Sequence, residues 1–158
     1  MFCINFVFSQ NQANTWYFGN KAGLNFNSGT ATALFDGELN TLEGCATISN
    51  ATGQLLFYTD GVTVYDRTHQ VMQNGTGLLG HPSSTQSAII VPNPSNPNIY
   101  YIFTTTELLL SEGVRYSEVD LSLNGGLGAV TVNKNIVLLS GEVTEKLTSV
   151  KHANGQDY

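Results

Sequence analysis

Charged side chains are scarce in this sequence of 158 residues: six Lys and Arg and twelve Asp and Glu make up 11% of it. Average soluble domains contain roughly 25%. Long surface helices need charged straight-chain residues, so this shortage disfavours them and favours strands joined by turns. The net charge of -6 argues against a nucleic-acid partner, because binding to phosphates requires clustered Lys and Arg.

Cysteine is nearly absent, with Cys3 and Cys45 alone. Residues 1–9 are apolar and contain Val7 and Ser9, which suit a signal-peptidase site, so we interpret this segment as a signal-peptide remnant without its basic front part. A buried first strand is the alternative. If Cys3 is removed with the signal, Cys45 has no disulfide partner in the chain and is predicted to be a small buried residue.

Long apolar runs and helical periodicity are also lacking. No stretch approaches the ~20 apolar residues of a membrane span. Short segments rich in β-branched or aromatic residues recur instead, and Gly, Asn, Asp and Pro separate them. The predicted strands are TWYFG, CATIS, QLLFYT, VTVYD, QSAIIVP, IYYIFTT, VRYSEVDL, NIVLL and KLTSVKH.

A degenerate repeat is present within residues 10–158. Residues 46–60, 88–105 and 148–158 each combine a small-residue apolar strand, a polar turn with Asn, and an aromatic segment. The first spacing is close to the ~40–50 residues of four-stranded propeller blades. We therefore predict an all-β fold, a partial β-propeller of about two and a half antiparallel blades. Because the third copy is cut short, we expect a truncated fragment whose partners include the remaining blades of a parent chain.

The segments EGCATIS, LLFYTDG, NGTGLLGHPSSTQSAIIVP and SLNGGLG give the chain a family likeness. From residue 14 onward it resembles the N-terminal propeller-like region of large secreted Bacteroidetes proteins. These proteins carry a gliding-motility-associated, type IX secretion sorting domain at their far C-terminus. The resemblance implies a secreted or outer-surface location and transfers no catalytic residue.

The stretch TISNATGQLLFYTDGVTVYD raises the question of a metal site at Asp60 and Asp66. A calcium loop needs oxygen ligands at alternate positions, and apolar or β-branched residues stand between these two acids. Asp60-Gly61 instead predicts a tight hairpin turn. The three histidines are widely spaced, without a zinc-ligand pattern. We therefore predict no metal and no cofactor.

The densest polar cluster is GHPSSTQSA, residues 80–88. A serine hydrolase would place its nucleophile on a strained elbow such as G-x-S-x-G, and this pattern is not present. The sequence favours an inter-blade connection that hydrogen-bonds its own backbone, with a ligand-contact loop as the alternative. The candidate contact residues are His81, Ser83, Ser84 and Gln86.

These patterns predict a non-enzymatic binding or scaffold module, and the resemblance implies a role in adhesion or as gliding-motility-associated cargo. Its partner is an unidentified protein or glycan, and the chain does not span a membrane. Two alternatives stay open. A carbohydrate-binding or glycan-hydrolysing propeller predicts exposed aromatics, or paired carboxylates, on one face. A β-sandwich adhesion domain predicts two layers without a repeat of ~40 residues.

Overall fold

A computed structural model of the protein describes residues 11–107, 112–154 and 157–158. The fold is all-β, and helix in this part of the chain is limited to two short 3-10 turns at Asn11–Ala13 and Asn124–Gly126. The strands are β1 Thr15–Phe18, β2 Ala22–Asn25, β3 Thr32–Leu34, β4 Ala46–Ser49, β5 Leu55–Thr59, β6 Thr63–Asp66, β7 Val71–Thr76, β8 Ala88–Pro92, β9 Ile99–Thr105, β10 Val114–Asp120, β11 Ala129–Val130 and β12 Ile136–Leu139.

The first three strands form a small antiparallel sheet in the order β1-β2-β3. Side chains alternate across β1, so Tyr17 is buried while Trp16 and Phe18 lie on the other face. Gly23 is paired with Tyr17, and a Cβ at this position would lie only 3.0 Å from the Tyr17 ring. The glycine therefore makes room for the ring that packs this sheet against the rest of the molecule.

Strands β4 to β7 form a four-stranded antiparallel unit, here called meander 1. Side-chain oxygens fix its three turns, because each turn begins with Asn or Asp whose Oδ1 accepts backbone N–H bonds. These are Asn50 with Thr52 and Gln54, Asp60 with Val62 and Thr63, and Asp66 with Thr68 and Gln70. The predicted turn at Asp60-Gly61 is confirmed, and Asp66 at the end of β6 begins a further turn.

Strands β8, β9, β10 and β12 form a second four-stranded antiparallel unit, meander 2. The short strand β11 pairs antiparallel with β10 and parallel with β7, and so joins the two meanders along one side. On the other side the first strands, β4 and β8, contact each other. The sheet of both meanders therefore nearly closes on itself. In the same way β1 of the small sheet contacts β4.

Two buried clusters fill the spaces between these three units. The smaller cluster packs Tyr17 of the small sheet against Tyr58 of meander 1, with ring centroids 4.7 Å apart. The larger cluster lies between the meanders and contains Phe57, Val64, Met72, Leu78, Ala88, Tyr100, Ile102, Val119 and Val130. At its centre Phe57 and Tyr100 meet edge to face at 5.6 Å. Each meander therefore buries apolar side chains toward its neighbour.

The predicted strands correspond to β1, β4, β5, β6, β8, β9, β10 and β12. The strand predicted at KLTSVKH is wrong, because residues 146–152 form no strand. The first two copies of the repeat are the β4–β5 and β8–β9 hairpins, whereas the described residues of the third, 148–154 and 157–158, are exposed and form no strand. The signal-peptide prediction for residues 1–9 falls outside the described residues. Among those described, no helix has the length and apolar character of a membrane span.

Candidate functional site

A groove of about 1140 Å³ lies between the two repeated hairpins. Its floor is apolar and is made by Ile48 and Leu56 of meander 1, Ile90 and Tyr100 of meander 2, and Leu121 after β10. This volume is above the roughly 300–1,000 Å³ of common small-molecule sites. The groove therefore has room for an extended ligand.

The rim of this groove carries amide and hydroxyl groups. They belong to the first 3-10 turn, the β4–β5 turn, the β8–β9 turn and the C-terminal segment. In that order the residues are Gln12; Asn50; Asn93, Ser95 and Asn98; and Ser149 and Tyr158. Lys151 is the one ionisable side chain besides the two tyrosines among the described lining residues, which include no Asp, Glu or His. Amides and hydroxyls both donate and accept hydrogen bonds, so they suit a neutral polyhydroxyl ligand.

Two tyrosines lie at the groove. Burial raises the pKa of Tyr100, and the neighbouring Tyr158 raises it further. The Tyr100 hydroxyl is therefore protonated at neutral pH and available as a donor. Tyr158 is 47% exposed, so part of its surface is open to a ligand. An amphipathic ring of this kind provides both apolar area and a polar end.

His81 and Ser83, two of the predicted contact residues, lie in the loop before β8. The backbone N–H of Ser83 donates to His81 Nδ1 at 3.1 Å, and the same nitrogen lies 3.5 Å from Glu107 Oε2. The backbone N–H of His81 donates to the buried Ser87 hydroxyl. These bonds hold the loop in one conformation, and neither residue lines the groove.

Ser84 and Gln86, the other two, contact different parts of the chain. Ser84 is fully buried, and its carbonyl accepts the Gly44 N–H. Gln86 Oε1 accepts the Leu147 N–H at 3.2 Å, and the Gln86 N–H donates to the Glu145 carbonyl. The structure thus brings the four residues into one loop that is bonded to itself and to the C-terminal segment. Ligand contact by this loop stays a prediction.

A polar network that the sequence did not reveal lies between the small sheet and meander 1. The Glu38 N–H donates to the Tyr58 hydroxyl, which leaves the hydroxyl hydrogen for His69 Nδ1 at 3.1 Å. On the other side of the ring, His69 Nε2 lies 3.4 Å from Asp36, which also accepts the Tyr17 hydroxyl. The His69 tautomer with its proton on Nε2 satisfies both contacts.

This network does not supply an activated nucleophile. Burial, followed by charges that include those of Glu38 and Asp36, raises the pKa of Tyr58 to about 12. Burial and the Asp36 hydrogen bond also raise the pKa of Tyr17 well above its usual value. Both phenols therefore stay protonated at neutral pH, and Tyr58 is fully buried. The arrangement joins two sheets.

Cys45 is a free thiol beside the small sheet and half-buried. Burial, followed by the nearby Asp60, raises the pKa of this thiol, so the unreactive protonated form dominates. It lines a second pocket of about 400 Å³ together with Trp16, Phe18 and Leu24. In the residues that the structure describes, no group of three His, Cys, Asp or Glu side chains could hold a metal ion.

Comparisons with known proteins provide no further assignment. No family model, no curated protein and no solved structure matches the chain. The resemblance to secreted Bacteroidetes proteins, the surface location and the absence of catalysis therefore stay predictions. The groove was not predicted either, although its two rim turns belong to the repeat that the sequence shows.

Proposed function

We propose that the protein is a non-enzymatic binding module that holds a neutral carbohydrate in the groove between its two meanders. The observation that carries this proposal is the groove lining. It combines an apolar floor and two tyrosines with amide and hydroxyl groups, and its described residues include no Asp, Glu or His. Hydrolysis of a glycoside needs a pair of carboxylic acids at the scissile bond, so this lining favours binding over turnover.

We also propose that the small sheet and the two meanders are consecutive blades of a propeller-like arrangement. Two observations support this arrangement. The first strands of successive units lie side by side, β1 with β4 and β4 with β8. In addition, a third sheet packs on meander 1 through Tyr17, whereas a β-sandwich consists of two layers.

A secreted or outer-surface location, with a role in adhesion, is part of the same proposal. It is supported by a sequence poor in charge, with 16 glycines, and by turns built on Asn and Asp side chains. A display module of this kind presents its loops on a rigid set of strands. The rim turns of the groove, at Asn50 and Asn93, are the loops that would meet the ligand.

Titration with soluble neutral oligosaccharides, followed by amide NMR, tests the binding proposal. We expect shifts confined to the turns at Asn50 and Asn93 and to residues 149–151. Asn98→Ala and Tyr158→Ala should each weaken binding about tenfold, the effect of losing about 1.4 kcal/mol. Asn20→Ala, an equally exposed amide outside the groove, is the matched control and should bind normally.

The same oligosaccharides test the absence of catalysis. After long incubation we expect their chain lengths to be unchanged by chromatography. Cleavage that is lost in Glu43→Gln or His81→Ala would overturn the non-enzymatic proposal. Shifts that occur only away from the groove, or none with any oligosaccharide, would overturn the carbohydrate-binding proposal.

A further inference from the structure

The two ends of the stack of sheets each present an apolar face. At one end, β1 and β2 display Trp16, Phe18 and Leu24 on the side opposite Tyr17; we call this end face 1. Trp16 is 47% and Phe18 is 36% exposed. At the other end, meander 2 displays Ile89, Phe103, Val114, Tyr116 and Leu139, here called end face 2.

End face 2 is equivalent to a face that meander 1 already buries. In meander 1, Ile48 pairs with Phe57, and Val64 pairs with Thr59 on the same side of the sheet. These three apolar residues pack toward meander 2. In meander 2 the same pairings join Ile89 to Phe103 and Val114 to Thr105.

Among the described residues, neither core cluster provides such a layer for the equivalent side chains on end face 2. Ile89, Phe103 and Val114 are half-buried, Leu139 is 57% exposed, and neither core cluster of the described residues includes them. The side-chain pattern of the interface between the two meanders therefore recurs on end face 2, where the described residues form no second core layer.

We infer that end face 2 of one chain binds end face 1 of a second copy, and that two copies close into a ring. The described residues of each chain form three units, the small sheet and the two meanders, so two copies provide six. Propellers commonly have four to eight blades, and three copies would exceed this range. In a closed two-fold dimer both end faces of each copy are used, which removes every open apolar face.

Both end faces carry aromatic rings, which suit such an interface. Trp16 and Phe18 on one face would meet Phe103 and Tyr116 on the other. Aromatic residues are enriched in the buried centres of protein interfaces and contribute much of the binding energy. This inference rests on the proposed propeller-like arrangement of the sheets, and it is independent of what the groove binds.

Light scattering coupled to size-exclusion chromatography at micromolar concentration tests the inference on the 158-residue chain. We expect a mass twice the 17.0 kDa of one chain. Trp16→Glu and Phe103→Glu should each reduce the mass to that of a monomer. Val132→Glu, at a position that is 95% exposed and on neither end face, should leave the dimer intact.

Mixing the two disrupted variants distinguishes this pairing from a contact between identical faces. Trp16→Glu keeps end face 2 intact and Phe103→Glu keeps end face 1 intact. An equimolar mixture should therefore recover dimers through one intact contact. If Phe103→Glu unfolds, as judged by circular dichroism, Leu139→Glu replaces it, because this side chain is already exposed.

Three results would overturn the inference: a monomeric wild-type chain, a dimer sensitive to Phe103→Glu but not to Trp16→Glu, or a mixture that stays monomeric. The first result is expected if further sheets of a longer chain occupy the end faces. A monomer that still binds oligosaccharide in its groove would leave the proposed function standing. A dimer that binds no oligosaccharide would support the dimer inference and overturn the proposed function.

Discussion

At the scale of single residues, the buried polar side chains act mainly by joining segments that are distant in sequence. Thr47 Oγ1 accepts the Tyr17 N–H and donates to the Tyr17 carbonyl, so one hydroxyl links β4 to β1. Tyr58 links Glu38 to His69 in a similar way. Such bonds are costly to break because a buried partner is left unsatisfied.

Tyr58→Phe removes the hydroxyl that joins the small sheet to meander 1. The Glu38 N–H and His69 Nδ1 both lose a partner, so we expect the free energy of unfolding to fall by about 1–3 kcal/mol. Tyr116→Phe is the control, since its hydroxyl makes no hydrogen bond that the described residues show. Urea denaturation measures both, and equal stabilities would contradict the network.

The raised pKa of Tyr58 predicts a loss of stability in alkali. Its pKa is about 12 in the folded chain and about 10 in the unfolded chain. Between these values the unfolded chain has released the proton that the folded chain retains. The free energy of unfolding should therefore fall by about 1.4 kcal/mol per pH unit above pH ~10 from this residue alone.

Denaturation of wild type and Tyr58→Phe across this pH range measures that contribution. The slope of the variant should be shallower by about 1.4 kcal/mol per pH unit. Tyr17, whose pKa is also raised, contributes to the slope of both proteins, because burial and Asp36, the largest causes of its shift, are kept in the variant. Equal slopes for wild type and Tyr58→Phe would contradict the prediction, because they would mean that Tyr58 has the same pKa in the folded and the unfolded chain.

Gly61 is required both by its backbone angle and by a close approach. Its φ is 87°, and an added Cβ would lie 2.1 Å from the Oγ of the buried Ser87. Gly77 has a similar φ of 72° but has open space at the same position. The comparison of these two glycines therefore separates backbone strain from steric overlap.

Gly77→Ala should cost about 1 kcal/mol in unfolding free energy, from the backbone alone. Gly61→Ala should cost at least about 2 kcal/mol, because overpacking of the buried Ser87 adds to this strain. Thermal unfolding of the two variants side by side checks the difference. Equal losses of unfolding free energy would mean that the β5–β6 turn makes no tight steric contact with the start of β8.

At the scale of elements, the loop before β8 fastens the C-terminal segment to meander 2. Gln86 contacts this segment through its side-chain oxygen and its N–H, and Thr85 donates its N–H and its hydroxyl to Glu145 Oε2. Residues 149–151 of the same segment line the groove. The segment is therefore held at one end by hydrogen bonds rather than by strand pairing.

Gln86→Ala should release this attachment without unfolding the strands. We expect the Leu147 amide, which donates to Gln86 Oε1, to exchange its hydrogen at least tenfold faster, while amides in β9 keep their rates. Ser83→Ala, in the same loop but with an exposed side chain, should change neither rate. Faster exchange throughout the chain would instead indicate global destabilisation.

Strands were predictable where the sequence alternates bulky β-branched or aromatic residues, as in β5 and β9. They were missed where turn-forming residues lie inside a strand. β7 contains Asn74 at φ 57° and Gly75, and β2 contains Gly23, which the Tyr17 ring requires. KLTSVKH has strand-like residues but pairs with no neighbour, and strand formation depends on such pairing.

At the scale of the whole molecule, the account depends on the packing of the two meanders as successive units. The groove lies between their hairpins, and end face 2 repeats the pattern of the interface between them. The sequence revealed the repeat but not this juxtaposition, because strand pairing says nothing about which face of a sheet meets which. The Asp36–His69–Tyr58 network was missed for the same reason.

A double-mutant cycle between Phe57 and Tyr100 tests this packing most directly, because each ring belongs to a different meander and they meet edge to face at 5.6 Å. Phe57→Leu, Tyr100→Leu and the double variant are compared with wild type by urea denaturation. The account predicts a coupling free energy of about 0.5–1.5 kcal/mol. Strictly additive losses, with no coupling, would contradict the face-to-face packing of the meanders.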